Sequence, residues 1–507
     1  MRVRVAAPLL AAGVSVAGLA GLAPAAAKIP VGTGAPAQPL LVPTTIRVAL
    51  VAQSGVTGVQ RVNFAIPFPR GGLTAMDATR VVGNGAELPA ARRVLATHPD
   101  GSIRSLQVQV DVNPATTPTV DVLVGTMRTR PPLALADVST TLVSADGTRG
   151  PRVWAYVPGT WVATSGAAGF MKPRSAIAGT ALDAWQVVCN CTRYDTTAFN
   201  AGKASASYWL YDRPTALYRG YAYNGTQSVF RDAYVEAAMY RAGITGTGSS
   251  TRIGVPGASG DLKYHYTQGM AIHYLLTGDV RFREAAENVA VRAHDLWPNP
   301  SYRGGFWTER HAGFALLAYE WAAAVSDDRA ATFTGWSDVA VTAAAAMQDN
   351  ASAAWETDAR CFAHTAASHD EAYGYTGCSP WMSSILADGL DAYAQRVATG
   401  TKFTVARTAL VELGRMIARH GRDSGGKPFY WMGAGVDRGE VDGYDEHWGE
   451  SAYVVAMAWW YQGKTDTALR TAADQLVTGT KTKGETGQLR SFNWQCRSAM
   501  ATPFFLS

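Results

Sequence analysis

The stretch YDEHWGESAYVVAMAWWYQ, residues 444–462, decides how the chain is read. It opens on a polar cluster (Tyr444, Asp445, Glu446, His447) and passes directly into an apolar segment. Trp448, Tyr453, Ala456 and Trp460 recur at helical intervals, which predicts a helix that buries one face. Acidic residues at its start suit the positive end of the helix dipole. Such a helix presents chemistry at its head and anchors its tail in a core.

The arrangement recurs. Tyr264-His265-Tyr266-Thr267-Gln268-Gly269 leads into MAIHYLLTGD, and Trp307-Thr308-Glu309-Arg310-His311 into AGFALLAYEWAAAVSDD. Ser379-Pro380-Trp381 leads into MSSILADGLDAYAQRVATG. After each, a short turn (TGD, SDD, ATG, and QGKTD beyond Trp460) opens a second, amphipathic helix. This is a helix-hairpin repeat of irregular length. First helices that all carry polar heads at one end predict a ring of inner helices around one cavity. The alternative is an open α-solenoid without an active site.

At 507 residues the chain is long enough for two or more domains, and 47% hydrophobic with 17% charged residues excludes disorder. A net charge of +5 without any block of Lys or Arg gives no reason to expect a nucleic-acid partner. Fifteen Trp and 21 Tyr supply rings of the kind that sugar-binding clefts use as stacking platforms. Arg2 and Arg4, the apolar run Val5 to Leu22, and Ala25-Ala26-Ala27 predict a signal peptide over 1–27, hence export to the periplasm or the exterior. No later run has the roughly 18 apolar residues that span a bilayer. Five cysteines fit an oxidising location: Cys361 with Cys378, and Cys496 with Cys189 or Cys191. A zinc site built from Cys361, His364, His369 and Cys378 is the competing reading of that loop.

Residues 28–44 read as a flexible Pro/Gly/Ala-rich leader. Over 45–158 the pattern turns to β: IRVALVAQ, RVNFAIPF, SIRSLQVQVDV and VDVLVG, separated by turns at Pro69–Gly72 and His98–Gly101. A compact barrel or sandwich follows, with His98 expected at the surface. Residues 159–211 read as a connector with β character, from strand-like pieces at 185–188 and 204–210. Helices are expected at 212–242, 262–277, 279–296, 308–325, 327–349, 380–398, 402–421, 446–462 and 464–479. The long loops 296–308, 350–380 and 421–446 are candidates for function.

A β domain carrying VNFAIPFPRG and HPDGSIRSLQV, followed by helical hairpins, resembles the exo-rhamnogalacturonan lyase-like proteins. YHYTQGMAIHYLLTGD and ERHAGFALLAYEW are similar to the helix heads of toroidal polysaccharide lyases. The resemblance implies a RIFT-type β-barrel followed by an incomplete (α/α) toroid over 212–507. It also implies β-elimination on an acidic, uronate-containing polysaccharide. That chemistry needs donors that neutralise the sugar carboxylate, a base for the C5 proton and an acid for the leaving oxygen. Such lyases use Tyr and His for the protons and Arg beside the carboxylate. Here the expected base is His265 or Tyr266, the acid Tyr264 or His447, and the carboxylate binders Arg310 and His311. His364, His369, Glu371, Tyr373, Tyr444, Glu446 and Trp448 complete the expected substrate contacts. No cofactor is required; calcium held by Asp and Glu at the heads is a minority reading. An inverting hydrolase is the alternative, with Asp370 or Glu371 paired to Asp445 or Glu446 across about 6.5–9.5 Å. A non-catalytic carbohydrate-binding protein is the third reading.

Overall fold

The computed structural model describes residues 44–257, 260–297, 308–351, 356–369, 371–443, 445–483 and 487–507. The expected signal peptide, Asp370, Tyr444 and the side chain of His369 lie outside the described residues. A sheet-rich N-terminal region precedes a helical region, as the change in sequence pattern predicts.

Eight strands build the first region: β1 (Thr44–Ala52), β2 (Gln60–Pro67), β3 (Thr79–Gly83), β4 (Ala86–Glu87), β5 (Ala90–Thr97), β6 (Ile103–Val112), β7 (Thr119–Val124) and β8 (Val153–Tyr156). One antiparallel sheet has the order β4-β3-β7-β1-β8 and the other β2-β6-β5. The period-2 pattern puts Ile46, Val48 and Leu50 of β1 and Val120, Val122 and Val124 of β7 in the core. β6 is buried on both faces, and Leu106, Val108 and Val110 join that core. Its other face, Ser105, Gln107 and Gln109, is polar yet equally buried.

The helical region explains that polar face. Ahead of it, the connector holds three short helices, α1 (Gly159–Ser165), α2 (Trp185–Val188) and α3 (Thr196–Gly202). The pieces expected as strands are thus helical: 185–188 is α2, and Ala206–Trp209 is a turn of 3-10 helix. Trp185 and Val188 are both buried while Val187 is exposed, a spacing of three that one helical turn satisfies and a strand does not.

The remaining helices are α4 (Arg213–Asn224), α5 (Gln227–Ala242), α6 (Gln268–Thr277), α7 (Val280–Leu296), α8 (Glu309–Ala323), α9 (Ala330–Ala351), α10 (Ser383–Val397), α11 (Gly400–His420), α12 (Trp448–Tyr461), α13 (Thr467–Lys483), α14 (Leu489–Ala499) and the short α15 (Thr502–Leu506). The single helix expected over 212–242 is broken at Gly225, whose left-handed backbone (φ 71°) caps α4. Ser105 donates to the Leu275 carbonyl (2.6 Å), Asn63 to Thr277 (2.7 Å) and Arg93 to Gly278 (2.7 Å). The polar face of the three-stranded sheet therefore satisfies the last carbonyls of α6, which a helix cannot pair within itself.

α4 packs on α6, α6 on α8, α8 on α10, α10 on α12, α12 on α14, and α14 returns to α4. The six form a closed circuit. α5, α7 and α11 each touch the two circuit helices that flank them in sequence. All ten residues of α6 are buried, and nearly all of α8 and α12. A helix apolar on all sides belongs inside. Gly313 of α8 sits against the backbone of Ile385 and Leu386, where a Cβ would come within 2.5 Å.

Two small sheets pair loop segments: β9 (Ile244–Thr245) with β10 (Arg252–Ile253), and β11 (His364–Thr365), β12 (Thr376–Cys378), β13 (Phe429–Gly433) and β14 (Gly439–Val441) in order. The second joins the long loops before α10 and before α12. Disulfides link Cys361 to Cys378 and Cys189 to Cys496, leaving Cys191 buried as a thiol. The bond at Cys361 removes two of the four ligands a zinc site there would need. Among the described residues no helix is long and apolar enough to cross a membrane.

Candidate functional site at the helix heads

The starts of α4, α8, α10 and α12, with Trp494 from the middle of α14, converge on one aromatic cluster. Tyr211, just before α4, lies 5.9 Å from Trp381 and 5.3 Å from Trp494 between ring centroids. His447 stacks on Trp381 at 4.7 Å and meets Trp494 at 5.2 Å, and Tyr430 of β13 closes on Trp381 at 6.1 Å.

Tyr211 and Asp212 both adopt left-handed backbone conformations (φ 71° and 49°). Non-glycine residues enter this region at a cost of about 1 kcal/mol or more each, and persist only where the surroundings enforce it. The enforcement is visible. The Tyr211 amide donates to the Tyr266 hydroxyl (2.8 Å), and Asp212 caps α4 while accepting from the Gly269 amide of α6 (3.0 Å). A side chain at Gly269 would come within 2.6 Å of the Asp212 carboxylate, so this head requires glycine.

Arg310, in the first turn of α8, donates to the Tyr211 hydroxyl (3.1 Å), and its guanidinium lies 6.0 Å from the Trp381 ring centre. Burial works against its charge, but Tyr211, Asp261 and Glu309 outweigh it and hold its pKa above the ordinary value. The charge of Arg310 also reaches Tyr264. Burial, with Asp261 and Tyr211, pushes its hydroxyl up to about 12 against the pull of Arg310, so it carries its proton at neutral pH. Tyr430 is raised too, first by burial and then by the charge of Glu371. The Nε2 of His447 has no hydrogen-bond partner among the described residues, while its Nδ1 faces Glu450 at 3.4 Å.

Other sequence-predicted residues lie elsewhere. His265 contacts the Asp261 carbonyl through Nδ1 (3.0 Å), and burial lowers its pKa to about 4. Tyr266 is buried against Tyr240 and Phe314, with its hydroxyl on the Tyr211 backbone. Neither faces the cluster; Tyr266 acts on it by fixing Tyr211. His311 completes a capping box with Thr308 and turns Nε2 toward Asp261 at 3.4 Å. Burial lowers its pKa to about 4. His364 bonds Glu309 (2.6 Å), and Glu309 also accepts from the Ser379 amide (2.5 Å), so this pair ties the loop sheet to α8. Glu371 and Tyr373 bond each other within the loop, and Tyr373 packs on Trp431. Glu446 accepts no bond on Oε2 among the described residues and lies beside Glu450. Trp448 turns away onto Gly479 of α13 and donates to Asp445 (2.9 Å). For calcium, the described acidic residues close enough to share an ion are Glu287, Asp327 and Asp328, on α7 and just beyond the end of α8.

No protein-family model, curated protein or solved structure matches this chain. The site is therefore read from its own residues. Sequence reasoning passed over Tyr211, Tyr430 and Trp494. Tyr211 announces itself only through the Tyr-Asp-Arg-Pro run before α4, where Pro214 marks a helix start and Asp212 its cap.

Below the heads runs a buried polar network. Asp388 accepts from Arg219 (3.1 Å), Arg497 (2.9 Å) and Tyr453 (3.0 Å). Burial opposes its ionisation, yet the two guanidinium groups hold its pKa below the usual carboxylate range. One turn on, Asp391 accepts from Tyr461 (2.6 Å) and Gln395. Burial, reinforced by the Asp388 charge, raises it to about 7. No local pattern marks these residues, which come from α4, α10, α12 and α14.

Proposed function

We propose that the chain is an exported polysaccharide lyase acting on a uronate-containing polymer at the helix heads. The circuit of six helices is read as an (α/α) toroid, closed by α14 where the sequence led us to expect an incomplete ring. The β domain is read as its RIFT-type partner. The two disulfides agree with an oxidising compartment. The observation that carries the reading is the Arg310–Tyr211 pair set among Trp381, Trp494 and Tyr430.

Each part then has a task. Trp381 and Trp494, both buried, wall the site and hold His447 and Tyr211 in place. Arg310 neutralises the uronate carboxylate, which acidifies the C5 proton. His447 takes that proton on Nε2, the C4–C5 double bond forms, and the C4–O bond breaks. Tyr264, which carries its proton at neutral pH, donates it to the departing oxygen. Tyr211 orients Arg310, and Tyr266 holds Tyr211.

Incubation with a panel of uronate polysaccharides tests this, following the ultraviolet absorbance of an unsaturated uronide together with reducing ends. Both should rise together. Reducing ends without absorbance would replace elimination by hydrolysis and move attention to Glu371 and Glu446.

A further inference from the structure

The two motifs of the β domain, Phe68-Pro69-Arg70-Gly71 and His98-Pro99-Asp100-Gly101-Ser102-Ile103-Arg104, take no part in the helix-head site. They build a different one. Gly71 donates its amide to the Ser102 hydroxyl (2.8 Å), and the Phe68 amide donates to the Arg104 carbonyl (2.8 Å). Left-handed glycines at 71 and 101 turn each loop, and the His98 ring, expected at the surface, contacts the Phe68 carbonyl through Nε2 (2.9 Å). The two turns thus form one rim. Across from it lie the last turns of α8 and α10, and between them is a cavity of about 680 Å³. Its floor is the polar network of Arg219, Gln268, Asp388 and Asp391, and Phe68, Phe170 and Trp321 line its walls. The volume suits a small ligand, and a few polar groups on apolar walls are what such sites carry.

The charges say what kind. Of the arginines on the cavity, Arg219 is taken by Asp388, and Arg396 by Glu320 (2.9 Å). Arg70 and Arg104 have no carboxylate within ion-pair distance among the described residues. Arg70 makes one bond, to the Gln395 carbonyl (3.3 Å), and Arg104 lies over the Trp321 ring at 5.6 Å. Burial, and then repulsion from Arg70, lowers the Arg104 pKa to about 10, with Glu320 acting against both. Two guanidinium groups that repel each other in a half-buried cavity are an arrangement that an anion relieves.

We propose that this cavity is a second ligand site, distinct from the helix heads, which binds a small sugar acid by its carboxylate through Arg70 and Arg104, the latter backed by the Trp321 ring. The polar floor, Gln268, Asp391 and Gln395, supplies partners for its hydroxyl groups. The proposal does not depend on lyase activity, since none of these residues belongs to the head cluster.

Calorimetric titration of the full chain with galacturonate at neutral pH tests it, with galactose and inorganic phosphate as comparison probes. Galacturonate should bind one to one, and galactose at least tenfold more weakly. Arg104→Ala and Arg70→Ala should each weaken galacturonate by about 10- to 100-fold, the loss of a charged hydrogen-bonding partner. Arg310→Ala removes the carboxylate binder of the heads, and the binding that remains in it should be one to one and still depend on Arg70 and Arg104. A thermal melt on each variant separates lost binding from lost fold, and Arg70, at a loop turn, is the variant expected to fold normally. Absence of galacturonate binding overturns the proposal, as does binding lost in Arg310→Ala but kept in both rim variants. Phosphate binding as tight as galacturonate would reduce the site to a general anion pocket and overturn its assignment to sugar acids.

Discussion

Replacing Asp391 with Asn should change how stability depends on pH, and the structure fixes both sign and size. The Asp391 carboxyl is buried with Tyr461 and Gln395 donating to it and Asp388 one turn away, and its folded pKa stands near 7. In the unfolded chain an aspartate titrates near ~3.9. The folded state therefore binds the proton more tightly, so stability from this group is present at low pH and is lost as pH rises through the folded value. Between pH ~5 and ~8 the single-site linkage amounts to about 2–3 kcal/mol. The buried histidines run the other way: His265 and His311, lowered to about 4, destabilise the fold as pH falls below their unfolded value. The comparison between variant and parent cancels that background. Urea unfolding of both proteins at the two pH values should find Asp391→Asn gaining about 2–3 kcal/mol on the parent toward high pH. Parallel profiles would refute the argument and place Asp391 in contact with water.

Three further outcomes follow from the packing and the site. Arg310→Ala and Tyr264→Phe should each lower kcat on a uronate polymer by about 100-fold or more, whereas His265→Ala, whose ring lies outside the cluster, should leave the activity of the folded fraction within a few fold; steady-state kinetics read this directly. By chain entropy, removing the Cys189–Cys496 bond, which closes 307 residues, should cost about 6 kcal/mol against about 3 for the 17 residues of Cys361–Cys378; denaturant midpoints of the two double-alanine variants should fall in that order. Gly313→Ala should destabilise by about 1–3 kcal/mol because its Cβ meets the backbone of α10. Gly335→Ala on the exposed side of α9, with nothing within 4 Å, should stabilise by about 0.5–1 kcal/mol. Equal signs in that pair would contradict the proposed close approach of α8 and α10.

Much of the helical region was legible because each apolar run has one period and one head. Gly278, Asp279 and Thr308 are end signals of the ordinary kind, and the helices begin and end close to them. The β strands with long alternating runs were readable for the same reason, whereas β3, β4 and β8 are too short to establish a period. The connector misled because apolar pairs three apart and two apart look alike over four residues. The central network was invisible: Arg219, Asp388 and Arg497 sit among other polar residues of α4, α10 and α14 with nothing local to single them out, and only the closure of the circuit brings them together.

The heads show why the site was half legible. Polar residues must gather where a helix begins, since its first amides need partners and its dipole favours them. That requirement makes the head conspicuous without saying which of its side chains turns inward. In α8, Glu309, Arg310 and His311 are consecutive, so each points about 100° from the last. Glu309 reaches the loop sheet through His364 and Ser379, His311 turns back to cap its own helix and face Asp261, and Arg310 alone meets Tyr211 and Trp381. The same division separates Tyr264, which feels the charge of Arg310, from His265 on the Asp261 carbonyl and Tyr266 on the Tyr211 amide. A residue's type and its place at a head mark it as a candidate. The phase of the helix, set by packing against α6 and α10, selects among them.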